Sequence, residues 1–134
     1  SDGRLVVQIR CEHLSAGIRG SLQSESADGG RTWTEAREVG INGFPPHLIR
    51  LSGGRLLSVY GRRWDDMGQF ACLSDDQGRT WDAANEIKLV GHWNDDLGYP
   101  SSTELSDGSI FTLYYQADQK GEKTCLMATK WRVR

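Results

Sequence analysis

Nothing in this chain approaches the roughly 18 to 20 consecutive apolar residues that a membrane-crossing helix needs, and its first residues lack the apolar core of a signal peptide. Lys and Arg number 16 against 18 Asp and Glu, for a formal net charge of −2. That balance leaves no electrostatic footprint for nucleic acid or an anionic membrane surface, so neither is expected as a partner. The three cysteines, Cys11, Cys72 and Cys125, are odd in number and form no Cys-x-x-Cys or Cys/His spacing, which excludes the usual zinc arrangements. They fall in or beside strand-like stretches and read as small buried hydrophobes with free thiols. A Cys11–Cys72 or other disulfide stays open for an oxidising compartment. No helix is expected, and no metal or cofactor. An export signal upstream of Ser1 would make the protein periplasmic or secreted; the residues themselves leave the compartment open.

What the chain does have is glycine and turns: 16 Gly, 25% charged residues and 37% hydrophobic residues suit a single domain of short strands. Its most informative feature is a repeat. Ser26-Ala27-Asp28-Gly29-Gly30-Arg31-Thr32-Trp33 returns, 48 positions on, as Ser74-Asp75-Asp76-Gln77-Gly78-Arg79-Thr80-Trp81. Asp followed two places on by Gly is turn chemistry, because Asp bonds its own backbone and Gly accepts positive φ. Thr-Trp then restarts an extended segment with a large apolar body to fold over the turn. Each octamer is expected to close a β-hairpin, with Ser26, Asp28, Gly30 and Trp33, and Ser74, Asp76, Gly78 and Trp81, in structural roles. Periods of roughly 40 to 50 residues mark blade-type β repeats, which bury their faces against their neighbours.

A second register repeats with nearly the same period. Ser1-Asp2-Gly3-Arg4-Leu5, Ser52-Gly53-Gly54-Arg55-Leu56 and Ser106-Asp107-Gly108-Ser109-Ile110 each set a tight turn before a β-branched and aromatic run. Pro46 and Pro100 open the stretches preceding two of these turns, a place where a strand needs no ladder donor. With strands lettered A to D within each unit, the chain parses as B-C-D, A-B-C-D, A-B-C. Residues 1–45 form an incomplete unit, 46–99 a complete one and 100–134 another incomplete one. Because unpaired edges are normally covered or closed, the chain is expected to be either a piece of a longer ring, lacking its N-terminal half, or a half-ring that pairs with a second copy.

The octamers resemble the Asp-boxes, or bacterial neuraminidase repeats, of the sialidase superfamily. The stretches Gly43-Phe44-Pro45-Pro46-His47-Leu48, Tyr60-Gly61-Arg62-Arg63 and Asp96-Leu97-Gly98-Tyr99-Pro100-Ser101-Ser102, and the ending Ala128-Thr129-Lys130-Trp131-Arg132-Val133, are similar to the C-terminal half of sialidase-like bacterial proteins. The resemblance implies an all-β fold, a partial six-bladed β-propeller of about two and a half four-stranded antiparallel blades. It also implies that a substrate sits over the central channel, on the face carrying the loops Gly40 to His47, Gly61 to Gly68, Gly91 to Pro100 and Gln116 to Lys123.

Gly98-Tyr99-Pro100-Ser101 resembles the segment carrying the nucleophilic tyrosine of sialidases, which makes Tyr99 the nucleophile candidate. A neutral phenol, deprotonated by a nearby carboxylate, suits attack beside a substrate carboxylate better than another anion would. Arg62 and Arg63 can each offer a bidentate fork to an acidic sugar, or pair within the loop with Asp65 or Asp66. His47 stands where an imidazole serves as acid, base or sugar-binding donor. Trp93, beside His92, Asp95 and Asp96, suits a pyranose whose C–H face stacks on the indole while hydroxyls bond to Asp96; Asp95 and Asp96 alternatively read as a solvated turn or a Ca²⁺ pair.

The family's Arg-Ile-Pro motif and its acid/base aspartate segment do not occur, and Tyr114-Tyr115-Gln116 stands where sialidases often have Leu-Tyr-Glu. A complete sialidase set is therefore not expected on one chain. The expected ligand is an acidic carbohydrate, acted on by a sialidase-like glycosidase fragment. The alternatives are a non-catalytic sugar-binding module and a structural, self-assembling one.

Overall fold

The computed structural model describes residues 3–12 and 19–133. They form ten strands: β1 Leu5–Cys11, β2 Gly20–Ser26, β3 Arg37–Glu38, β4 Pro46–Arg50, β5 Leu56–Arg62, β6 Gly68–Ser74, β7 Ile87–Gly91, β8 Gly98–Glu104, β9 Ile110–Gln116 and β10 Cys125–Trp131. A 3-10 turn at Ala83–Asn85 is the sole helical element among the described residues, so no helix there is long and apolar enough to cross a membrane. The strands pair in sequence order into three sheets, β1-β2-β3, β4-β5-β6-β7 and β8-β9-β10, all antiparallel. The all-β class and the three, four and three strands match the expectation from the repeats. Of the first expected turn, Ser1 and Asp2 lie outside the described residues. Pro46 opens β4 as expected, but Pro100 lies inside β8. There the register shifts between Gly98 and Ser101, and a bulge is one of the places where a strand tolerates a missing N–H.

The middle sheet is covered on both sides, and its sequence shows why. Side chains alternate across a strand, and every residue of β5 from Leu56 to Arg62 is buried. Leu56 and Tyr60 join Phe70, Cys72, Trp81, Val39 and Ile41 in one core. Leu57 and Val59 join Leu51, Ala71 and Ile110 in a second, against which Trp131 and Val133 pack. Each such Leu, Val, Ile or Phe contributes on the order of 1.5 to 3 kcal/mol by leaving water. By contrast β9 alternates: Ile110, Thr112 and Tyr114 are buried, whereas Phe111 and Leu113 are exposed. Cys72 fits the reading of a buried apolar thiol, and burial pushes its pKa up to about 12. Cys125 departs from that reading, since it is exposed at the start of edge strand β10, while Cys11 is half-buried.

Both octamers close hairpins, β2 to β3 and β6 to β7. In the first, the Ser26 hydroxyl donates to Asp28 Oδ1 at 2.8 Å and accepts the Gly30 N–H at 2.8 Å. Asp28 accepts the Thr32 N–H at 2.9 Å and the Thr32 hydroxyl at 2.6 Å. The second repeats the pattern at Ser74, Asp76, Gly78 and Thr80 with the same four distances. The tryptophans diverge. Trp33 folds over its own turn, its indole N–H on Gly30 O at 3.0 Å, and stays 45% exposed. Trp81, 9% exposed, reaches into the first sheet and donates to Gln23 Oε1 at 2.8 Å. Gln23 in turn donates to Gly78 O at 2.7 Å, so the second turn is bolted to the neighbouring sheet.

Two outcomes follow from these turns. Trp81→Ala is expected to cost about 3 to 5 kcal/mol and Trp33→Ala less than about 1 kcal/mol in urea unfolding; equal losses would refute the assigned difference. The hydrogen bond from the Thr32 hydroxyl is the chief cause holding the Asp28 carboxyl down at about 2. Since that lies below the ordinary value near 3.9, its stabilising contribution is present above about pH 4 and lost as the pH falls through about 2. Carboxyl titration by NMR checks this, and an Asp28 midpoint near 4 would contradict it.

Candidate functional site

The antiparallel path sorts the connections to two ends. One end carries the glycine turns and octamers, cross-tied by Ser52 N–H and Oγ donating to Glu104 at 2.5 and 2.9 Å. The other carries the longer loops, which hold each other: Phe44 N–H to Gly61 O at 2.8 Å, His92 N–H to Met67 O at 2.9 Å, and the Thr124 hydroxyl to Asp96. These are the loops singled out from the sequence, and they gather at one end.

Arg62 and Arg63 are adjacent, so the alternation of β5 sends them opposite ways. Arg62 shares the Tyr60 side and is 7% exposed. Its guanidinium donates to both Glu86 oxygens at 2.6 Å and to Asn42 O at 2.7 Å, and lies 4.1 Å from the Phe70 ring centroid. Tyr60 donates to the same Glu86 at 2.6 Å, and burial raises its phenol pKa. Glu86 thus replaces the Asp65 or Asp66 partner expected from the sequence; Asp66 pairs with Lys88 instead. Arg62 is built into the junction between the first two sheets rather than turned toward a ligand.

Arg63 turns toward the third sheet. It donates to Leu97 O at 2.8 Å and to the Tyr115 hydroxyl at 3.0 Å, with its Cζ 5.5 Å from the Tyr99 ring centroid. Tyr99 and Tyr115 stack with centroids 5.9 Å apart and planes at 25°. Tyr99 is 57% exposed and sits at φ 49°, a left-handed conformation that a non-glycine residue holds at a cost of order 1 to 3 kcal/mol. The bulge in β8 and Gly98, at φ 134°, aim it outward. A Cβ at Gly98 would lie 3.1 Å from Arg63 Nη2, so the guanidinium fits because position 98 has no side chain. Arg10, at the end of β1, hydrogen-bonds Glu12, the main cause of its raised pKa, and its guanidinium stands 4.4 Å from the Phe44 ring centroid. Nearby aromatic support comes from Phe44 and Trp64, 5.2 Å apart, with Arg19 over Trp64 at 5.5 Å.

The remaining candidates take other positions. His47, on β4, is half-buried, with Nδ1 accepting the Ser102 N–H of β8 at 3.2 Å and burial lowering its pKa; it ties two sheets together. Trp93 is 40% exposed and tilts against His92, with centroids 4.1 Å apart. Asp96 pins the 92–97 loop to Thr124. The octamer residues lie at the opposite end. Among the described residues no group of three or more His, Cys, Asp or Glu side chains is placed to hold a metal ion. Arg10, Glu12, Arg19 and Tyr115 were not singled out from the sequence. A charged or aromatic residue just at the loop-bearing end of a strand was the available signal.

No family model and no curated protein matches the chain. Among solved structures, it is similar to the crystal structure of a protein of unknown function from Dyadobacter fermentans, at 28% identity with a TM-score of 0.83. The match covers 98% of this chain and 35% of that one, which is therefore nearly three times as long.

The opposed arginines give a direct test. Arg62→Ala strands the Glu86 carboxylate and is expected to cost about 1.5 to 3 kcal/mol or more, whereas Arg63→Ala should cost about 1 kcal/mol. Urea unfolding measures both, and the reverse order would overturn the division between a buried, scaffold-tying arginine and a half-buried one.

Proposed function

We propose that the chain is a three-blade portion of a sialidase-type β-propeller whose loop-bearing end binds an acidic sugar. Arg63 grips the carboxylate and Tyr99 lies against the anomeric carbon in the nucleophile's position. One observation carries this reading: an exposed tyrosine in a strained conformation stacks on Tyr115 with the Arg63 guanidinium beside its ring. Strain of this kind concentrates at functional sites. Two guanidiniums beside aromatic rings match the chemistry of a sugar carboxylate and the pyranose C–H face.

In the hydrolytic version the Tyr99 oxygen attacks the anomeric carbon as the leaving alcohol departs, and water then cleaves the glycosyl–tyrosine bond. Glu12, paired with Arg10 at the same end, and Asp95 and Asp96 of the 92–97 loop are the carboxylate candidates for taking the phenol proton. His47, the acid/base candidate, is engaged at Nδ1 by the Ser102 N–H, and Gln116 replaces the glutamate of the family pattern. Binding without turnover is therefore the expected behaviour of the chain by itself.

The test is titration of glucuronate and N-acetylneuraminate into the protein, followed by NMR, beside turnover of their fluorogenic glycosides. Binding should weaken at least tenfold in Arg63→Ala, persist in Tyr99→Phe, and occur without turnover. Binding unaffected by Arg63→Ala, or no binding of either sugar, would refute the site.

A further inference from the structure

We propose that Gln69 is a reserve donor for the Leu97 carbonyl, which lets Arg63 leave that carbonyl for a ligand carboxylate without stranding a buried acceptor. For the ligand the inference rests on the sugar-site reading above; for the exchange it rests on the scaffold alone. Gln69 is fully buried on β6, and neither its Oε1 nor its Nε2 has a hydrogen-bond partner among the described residues. Buried polar groups are paired in the great majority of cases, so an orphaned carboxamide calls for an explanation. The acceptor on the facing loop is already taken: Leu97, also fully buried, receives Arg63 Nε on its carbonyl oxygen at 2.8 Å.

The first sheet shows what this position does when no arginine competes. The octamers align Ser26 with Ser74, so Ser21 and Gln69 hold equivalent places, paired across to Arg10 and Gly61 respectively. Pro46 and Pro100 likewise align Gly43 with Leu97. Ser21, fully buried, donates its hydroxyl to Gly43 O at 3.0 Å, tying the first sheet to the next loop. The place of Arg63 is held there by Glu12, whose carboxylate has no N–H to offer. Between the second and third sheets Arg63 makes the equivalent tie, and the Gln69 amide is left without its acceptor. Gly61 keeps the way between them clear. Its φ is not left-handed, yet a Cβ there would lie 3.1 Å from Gly98 Cα, 3.3 Å from Leu97 Cδ1 and 3.6 Å from Gln69 Oε1. Close approach is therefore what suits glycine to this position, and a half-turn of the carboxamide presents Nε2 where Oε1 stands. Arg63 now commits Nε and Nη2 to Leu97 O and Tyr115. The same edge can grip a carboxylate through two parallel bonds. Taking a ligand there releases Leu97 O, and Gln69 takes it up.

The exchange is read by NMR in the Gln69 side-chain amide, assigned by its loss in Gln69→Leu. In Arg63→Ala, which frees Leu97 O without any ligand, its protons should exchange with water at least tenfold more slowly than in the wild type, and one should shift downfield. Gln69→Leu should not destabilise the wild type in urea. In the Arg63→Ala background it should shift the equilibrium about tenfold toward unfolding, since no donor then remains for the carbonyl. Saturating glucuronate should reproduce the amide change in the wild type, and Gln69→Leu should weaken its binding about tenfold. An amide that Arg63→Ala leaves unmoved, equal costs of Gln69→Leu in both backgrounds, or bound glucuronate beside an unmoved amide overturns the proposal. No binding of glucuronate, together with the amide change in Arg63→Ala, sinks the sugar site and leaves the exchange standing.

Discussion

Burial of the middle sheet on both faces is the constraint that organises this molecule. A single four-stranded sheet has two faces and no core of its own, so β5 is stable only because Leu56 and Tyr60 meet the first sheet while Leu57 and Val59 meet the third. The polar ties reinforce the same junctions and do not create them. Trp81 and Gln23 join sheets one and two, and Ser52 and Glu104 join sheets two and three. Arg62, enclosed with Glu86 and Tyr60, is part of that scaffold. Removing either partner would leave a desolvated charge, a penalty larger than the attraction it interrupts.

Stacking sheets this way separates two kinds of connection. Tight turns at one end are self-sufficient, each closing its own hydrogen bonds through Asp28 or Asp76. Loops at the other end have freedom in length and composition, and cations and aromatic rings collect there: Arg10, Arg19, Arg63, Phe44, Trp64, Tyr99 and Tyr115. A rigid β scaffold leaves its connecting loops free to carry such side chains at the surface.

Much of the fold was legible because the turn chemistry is local. Ser-x-Asp-x-Gly-x-Thr-Trp specifies its hairpin without help from distant residues, so two octamers and three glycine turns sufficed to divide ten strands into sheets of three, four and three. The site was harder to read, because its members come from β1, β5, β8 and β9 and meet only through tertiary packing. Tyr99 and Arg63 were visible as residues of the loop-bearing end. Arg62 was not separable from Arg63 until strand parity assigned them to opposite faces, and its partner Glu86 follows a 3-10 turn that carries no periodic signal. His47 and Asp96 were legible as loop-end polar groups, but their hydrogen bonds to Ser102 and Thr124 span segments far apart in the chain.

The left-handed backbone at Tyr99 carries an evolutionary implication. Glycine and asparagine adopt that conformation with little or no strain, so neutral drift at position 99 runs downhill toward them, away from a bulky aromatic ring. The tyrosine in this chain stands against that drift, its ring held by stacking on Tyr115 and by the Arg63 guanidinium.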